Sequence, residues 1–374
     1  MKRRLFLCLT LSIILLTSFG SGVINGQRRE LPNKTKTLEL VFVIDTTGSM
    51  SGLIEGAKQS VWGIVNQVLQ SEISQQVRVG LVAYRDRGDQ YVTQVTPLTN
   101  DLDAIYTKLM GFKAEGGGDT PENVRRALAD AVHQAGWASP SNGVVQIVFL
   151  VGDAPPHDDY QDEPDTKVTV EQAVRKNMII NTIRCGDSSE TQVIWQQIAH
   201  MGTGKYFSIA QDGGVAVIQT PYDEKLSALS TKLGGTYLAY GDERRRVLNA
   251  ERQAATEVVI IQGASITAQA DRALNKAVNT NAYADDLLQA LENGTVKLQD
   301  IKQEDLPTEL QKLTPAERQK EIDKRLAERK LIRAEILELS QKRDQYLESE
   351  SKKVKGKQGF ENAVVEALKT QLVR

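Results

Sequence analysis

Short apolar runs alternate with stretches of helical periodicity over residues 37–235. Five of the runs predict strands: LELVFVID (38–45), VRVGLVAYRD (77–86), VVQIVFLVGD (144–153), MIINTIRCG (178–186) and KYFSIA (205–210). A sixth, YVTQVTPLT (91–99), reads as an edge hairpin partner. Most are continuously apolar, the sign of strands covered on both faces. Between them Ile54, Ala57, Val61, Ile64 and Val68 fall on one helical stripe, and Val124, Ala127, Leu128, Ala131 and Ala135 on another. Strands alternating with helices predict an α/β fold with a doubly wound, mostly parallel sheet.

The pattern changes after KLGGTY, where Gly234 and Gly235 can stop the last helix of the sheet domain. Residues 242–374 read as a helical, charge-rich region, weakly patterned up to 292. Further on, Thr314 can cap a helix, Pro315 suits its first position and Glu317 completes a capping box. Ile322, Leu326, Ile332, Ile336, Leu339 and Tyr346 keep one apolar face among interleaved acids and bases. That is the pattern of a solvated helical hairpin or short coiled coil, and it makes self-association through residues 299–353 one expectation. KVKGKQG breaks the chain before a last amphipathic helix, FENAVVEALKTQLV.

The first residues have a basic start, an apolar stretch from Leu5 to Leu16 and then small residues. This is the layout of a secretory signal peptide over residues 1–26, and the stretch is short for a membrane-spanning helix. An exported chain, periplasmic, cell-surface or extracellular, follows, with no membrane span unless the segment is retained. Removal would leave Cys185 as the one cysteine, so the core must be stable without an internal disulfide. A formal net charge of -2 gives no sign of bulk binding to nucleic acid or membrane.

In a doubly wound sheet the ligand site lies at the carboxyl ends of the strands, and three acidic loops should reach that edge. Asp45 ends the first strand within DTTGS, Asp153 ends IVFLVGD, and EGGGDTPE (115–122) leads into a helix. Asp45, Thr47 and Ser49 alternate, so a tight loop can turn all three to one side while Gly48 lets the backbone bend. One carboxylate with two hydroxyls suits a small hard cation. Singly, each has an ordinary explanation: turn chemistry for DTTGS and Asp153, a helix-dipole partner for Glu122. Their joint occurrence at the ends of the expected elements favours a metal.

These residues resemble the von Willebrand factor type A (vWA) family and its metal-ion-dependent adhesion site, whose motif is Asp-x-Ser-x-Ser after the first strand, an oxygen ligand from a middle loop and an Asp after the fourth strand. Asp45, Thr47 and Ser49 match the first part, with Thr in place of the first Ser, and Asp153 matches the last. GGGDTPENVRRAL looks like the I-like domain of integrin β subunits, a pattern that makes Glu122 the middle ligand and Thr120 a helix cap. The same resemblance implies a neighbouring second cation held by Asp86, Asp119, the Pro121 carbonyl and a shared Glu122. Gly117 stands where the family has an Asn ligand of the second site, which therefore lacks one side chain, and Ser51 and Gly52 replace the family's acidic pair, which leaves a third site without support. The combination is similar to exported bacterial vWA proteins.

The resemblance implies a non-enzymatic adhesion or scaffold module. Mg²⁺, with Ca²⁺ or Mn²⁺ as alternatives, would be held by Asp45, Thr47, Ser49, Glu122 and Asp153 and would receive an Asp or Glu carboxylate from a protein partner. HDDYQDEPD, just after Asp153, reads as a solvated lid, with zinc binding by His157 a lesser alternative. The rivals are an Mg²⁺-dependent phosphoryl-transfer or hydrolytic enzyme and an envelope structural protein acting through its helical tail. Arg85 and Arg87 would contact a substrate anion in the first rival or pair with nearby acids otherwise, and Cys185 reads as a core residue.

Overall fold

All six expected strands form a single sheet. The computed structural model describes residues 35–70, 74–141, 143–214, 218–283, 285–351 and 359–372, so the expected leader lies outside the described residues. In chain order the elements are β1 (Thr35–Asp45), α1 (Ser51–Gln70), β2 (Ser74–Tyr84), β3 (Thr93–Thr99), α2 (Leu102–Gly111), α3 (Val124–Gln134), β4 (Val144–Gly152), α4 (Thr166–Arg175), β5 (Ile179–Cys185), α5 (Ser189–Met201) and β6 (Thr203–Ile209). They continue as α6 (Asp223–Gly234), α7 (Glu243–Gly263), α8 (Ile266–Val278), α9 (Leu287–Glu292), α10 (Thr308–Gln311), α11 (Pro315–Ser351) and α12 (Phe360–Gln371).

The strand order is β3-β2-β1-β4-β5-β6, with β3 antiparallel to β2 and every other pair parallel. Pro97 is tolerated because β3 is an edge strand, where a missing N–H can face away from the ladder. Continuous apolar runs arise because successive side chains serve two cores. Leu38, Leu40, Phe42 and Ile44 of β1 pack with α1 and α2, whereas Val41 and Val43 pack with α3, α4 and α5 on the opposite face. From β1 the chain passes through α1 to β2 on one side, and β4 lies on the other side. That reversal opens a crevice beyond the carboxyl ends of β1 and β4, the place where such sheets bind ligands.

The C-terminal region departs from the sequence expectation in a way that bears on stability. The glycines at 234 and 235 do end α6, but α6 packs mainly on α8 and α11. The helix beside α1 over β5 and β6 is α12. Phe360, Ala363, Val364, Ala367 and Leu368 belong to the same core cluster as β1 and α1. Core packing therefore runs across the expected division near residue 235, and residues 34–374 group as one unit.

The long helix α11 begins with the expected capping box: Glu317 Oε2 accepts from the Thr314 N–H at 2.9 Å, and Thr314 Oγ1 accepts from the Glu317 N–H at 3.4 Å. Its apolar stripe is covered from within the chain, with Ile332, Ile336 and Leu339 against α6 and α8 and Ile322 in a smaller cluster with Leu287 and Leu310. A buried ion pair fastens it: Arg329 donates to Asp286 at 2.5 Å and to the Thr236 carbonyl at 3.0 Å. Internal packing of one long helix thus accounts for much of the stripe, with Ile322, Ile332, Ile336 and Leu339 buried and Leu326 and Tyr346 half-buried.

Candidate metal centre

Burial makes Asp45 unusual before any ion is considered. It ends β1 with no solvent exposure. Its Oδ1 accepts from the Thr47 backbone N–H at 2.8 Å and from the Thr47 hydroxyl at 2.6 Å, while Oδ2 has no partner. Desolvation pushes its pKa up to about 7, against the lowering effect of the two Thr47 bonds. Because the Thr47 hydroxyl gives its proton to Asp45, its lone pairs are free to face the cleft. Asp45 is beneath the cleft rather than on its wall, so toward a cation in the cleft it would act by orienting and polarising the Thr47 hydroxyl.

The cleft, of about 330 Å³, is lined by Thr47, Ser49, Gly116, Gly117, Glu122 and Asp153 among others. Ser49 is exposed in a single turn of 3₁₀ helix, Gly48–Met50, which leads into α1; its hydroxyl lies 3.5 Å from that of Thr47. Glu122 is 3% exposed and its Oε2 has no partner. Desolvation first, then the charges of Asp45, Asp86, Asp89 and Asp153, push its pKa up to about 9. Asn123, not Thr120, caps α3, accepting from the Arg126 N–H at 3.1 Å. Thr120 instead stands exposed on the wall of the cleft.

Glycines make the close approach of these loops feasible. Gly116 and Gly117 both have φ of +82°, and a Cβ on Gly117 would lie 3.2 Å from both Glu122 Oε1 and Thr47 Cβ. The Gly48 N–H donates to the Gly116 carbonyl at 3.2 Å, and Arg85 ties the same loops by donating to the carbonyls of Thr46 and Lys113. Glu122 is held to the loop after β4 through backbone bonds to Pro155 and His157. Asp153 faces the cleft, and its Oδ2 accepts from Gln211 Nε2 at 2.6 Å.

Asp45, Glu122 and Asp153 form no salt bridge or hydrogen bond with a lysine or arginine among the described residues, although the more distant charge of Arg85 acts on Asp45. The three do not form a tight triad, since Asp86, Asp119 and His157 are the group of ligand atoms within 4.8 Å of one another among the described residues. A cation in the cleft would accordingly rest on the hydroxyls of Thr47 and Ser49 and the carboxylates of Glu122 and Asp153, some through water, as Mg²⁺ tolerates. The orphaned oxygens of Asp45 and Glu122 fit that group: a buried carboxylate without a counter-charge is costly, and a divalent ion supplies one.

Of the residues expected to hold a second cation, Asp86 and Asp119 come together, and their third partner is the imidazole of His157. The Glu122 carboxylate turns toward Thr47 and Gly117. The loop that follows Asp153 is fastened, which replaces the expected lid. Arg87 donates to Asp162 at 2.8 Å and Glu163 at 2.7 Å, Tyr160 donates to Asp86 at 2.7 Å, and Asp165 caps α4. Arg85 and Arg87 are therefore occupied in holding loops, and Cys185 is a buried core residue.

Three contributors were missed by sequence reasoning. Gln211, after β6, bridges Asp153 and the Ser49 carbonyl, to which it donates at 3.0 Å. Asp89 accepts from the backbone N–H groups of Asp86 and Gly117, both at 3.2 Å. Gly152 leaves room for Asp45: a Cβ there would be 2.4 Å from the Tyr84 hydroxyl and 3.2 Å from Asp45 Oδ2. Only Gly152 had a local signal, a small residue immediately before the acid at the end of a strand.

Residues 39–221 match the family model described as von Willebrand factor A domain. An ariadne-like RING finger protein of Acanthamoeba polyphaga mimivirus is 25% identical over 232 residues, covering 56% of this chain and 22% of that protein. The von Willebrand factor A domain-containing protein 7 of Rattus norvegicus is 32% identical over 146 residues, covering 39% of this chain and 15% of that protein. The aligned part thus spans about a fifth or less of the length of these curated relatives. Among solved structures, an aerotolerance-related membrane protein from Bacteroides fragilis aligns with a TM-score of 0.32 at 14% identity, covering 47% of this chain and 92% of that chain. The SpRpn10 VWA domain aligns with a TM-score of 0.35 at 13% identity, covering 47% and 89%. Among the described residues no helix is long and apolar enough to cross a membrane.

Proposed function

We propose, for a chain whose residues 39–221 match the family model described as von Willebrand factor A domain, that the cleft beyond β1 and β4 takes up a divalent cation and, through it, the carboxylate of a protein partner. Domains of this family are in general protein-interaction modules without enzymatic activity, which supports a binding role. The observation that carries the reading is the pair of buried, unpartnered carboxylate oxygens, Asp45 Oδ2 and Glu122 Oε2, beside a cleft walled by hydroxyls and lacking a cationic side chain as partner.

The residues divide the work. Thr47, Ser49, Glu122 and Asp153 would hold Mg²⁺, Ca²⁺ or Mn²⁺, and Asp45 would orient Thr47. Neutral hydroxyl ligands leave the ion much of its charge, so an open position can attract an acidic side chain from outside. Calorimetric titration of the full chain with Mg²⁺ and Ca²⁺, against Ser49→Ala, tests this directly. The exposed Ser49 hydroxyl contributes nothing to the core, so its loss should weaken uptake while leaving the fold intact. An Asp-bearing peptide should then bind only in the presence of the ion. Equal ion uptake by both proteins would sink the proposal. The leader-like residues 1–26 support an exported, periplasmic or surface location, testable by sequencing the amino terminus of the chain recovered from its native host.

A further inference from the structure

The cluster beside the cleft has chemistry that the cleft itself lacks. His157 is 7% exposed, and its Nδ1 lies 2.8 Å from Asp159 Oδ1. An ionised carboxylate can only accept, so Nδ1 carries the proton and Nε2 of the neutral ring presents a lone pair. That Nε2 is buried and has no hydrogen-bond partner. It faces two carboxylates, Asp86 Oδ2 at 3.3 Å and Asp119 Oδ2 at 3.7 Å. Three electron-rich atoms pointing at one another repel unless a metal ion or a second ring proton lies between them.

Their spacing admits a bound cation, and the ligand types select which. Ligands about 2.0–2.1 Å from a tetrahedral zinc ion are separated by about 3.4 Å along each edge of the tetrahedron, close to both distances. An imidazole also favours zinc and its transition-metal neighbours over calcium or magnesium. The supports are those of a built site. Asp159 fixes the tautomer of His157, in the carboxylate–histidine arrangement common around zinc. The ring of Tyr160 stacks on His157 with centroids 4.1 Å apart, and its hydroxyl bonds Asp86 Oδ2, leaving the buried Asp86 Oδ1 without a partner. The backbone N–H of His157 is anchored on the Glu122 carbonyl at 3.1 Å.

We propose that Asp86, Asp119 and His157 form a binding site for a zinc-class transition-metal ion, beside the cation of the cleft, whose wall Asp119 shares, with a water molecule completing the tetrahedron. The three ligands come from the loop after β2, the glycine loop and the loop after β4, so the ion staples together the segments that surround the cleft. It is a structural clasp whose occupancy stiffens the wall bearing Thr120 and Glu122.

The test uses the full chain, stripped with chelator and then held in excess Mg²⁺ so that the cleft is not available to a second metal. Titration with Co²⁺ should give the intense visible absorption of a tetrahedral nitrogen–oxygen site at one equivalent, and Zn²⁺ should displace it. His157→Ala should abolish the signal, Asp159→Asn should weaken Zn²⁺ binding by about 10-fold or more, and Leu331→Ala, at an exposed position on α11, should leave both untouched. The Co²⁺ spectrum of the unaltered protein keeps the test decisive even if His157→Ala folds poorly. Absence of Co²⁺ and Zn²⁺ uptake, with a doubly protonated His157 in the nitrogen NMR spectrum, would show an imidazolium held by carboxylates and overturn the site. Uptake that survives His157→Ala in a folded protein would overturn it as well. Neither result touches the Mg²⁺ titration against Ser49→Ala, so the two readings fail separately.

Discussion

Phe360→Ala measures how far the last helix belongs to the sheet. Phe360 opens α12, is 2% exposed and lies with its ring centroid 5.9 Å from that of Phe42 on β1. Phe42 in turn stacks on Phe149 of β4 at 5.4 Å, so the three rings form a row over the two central strands. The site has little freedom to collapse, because the Phe360 N–H is fixed to the Gly213 carbonyl at 3.0 Å and a Cβ on Gly359 would be 2.6 Å from Gly214 O. Removing a packed phenyl ring in such a place costs about 3–5 kcal/mol, roughly a fifth or more of the net stability of an ordinary domain. Equilibrium urea unfolding followed by tryptophan fluorescence reads the effect where it matters, since Trp62 and Trp195 are fully buried on the two opposite faces of the sheet. Leu331→Ala, at a position 72% exposed on α11, is the control and should stay within about 0.5 kcal/mol. A Phe360→Ala effect no larger than the control would refute the packing of α12 on the sheet.

Asp45→Asn should stabilise the metal-free protein. Its folded pKa is raised from 3.8 to about 7, so the folded state binds more protons than the unfolded state and stability falls as pH rises from about 4 to 7. The gap corresponds to at most about 4 kcal/mol at pH 8, so the gain from Asn in urea unfolding with chelator should be largest there and should vanish near pH 4. A loss at pH 8, or no pH dependence, would contradict the unpaired carboxylate. Gly152→Ala should lower stability by about 1–3 kcal/mol, because its methyl group would meet the Tyr84 hydroxyl and Asp45; an unchanged melting temperature would show that the strand end can yield. Gln211→Ala should weaken Mg²⁺ binding about tenfold without changing the circular dichroism spectrum, since it frees Asp153 and Ser49 from their shared amide; calorimetry giving an unchanged Kd would remove Gln211 from the site.

Local chemistry in the chain determined the strands, the parallel α/β class and the acidic ends of β1 and β4, because two-sided burial writes itself as continuous apolar runs and a turn must be made of small polar residues. The capping box at Thr314 and Glu317 was legible for the same reason, being complete within four positions. What lay beyond the sequence depends on meetings between distant residues. No periodicity announces that Phe360 rests on Phe42, or that α6 and α8 cover much of the stripe on α11 from within the chain. A charge-rich amphipathic helix looks the same whether it packs internally or on another copy. The site divides along the same line. Asp45, Thr47 and Ser49 share a loop and were found together, whereas Gln211 reaches them from the far end of β6 and His157 meets Asp86 across 71 residues of chain. A lone histidine among acids carries no sign of which nitrogen is free until its neighbours are known. Tertiary structure alone decides that, because burial and hydrogen bonding, not residue identity, determine whether a polar atom is left without a partner.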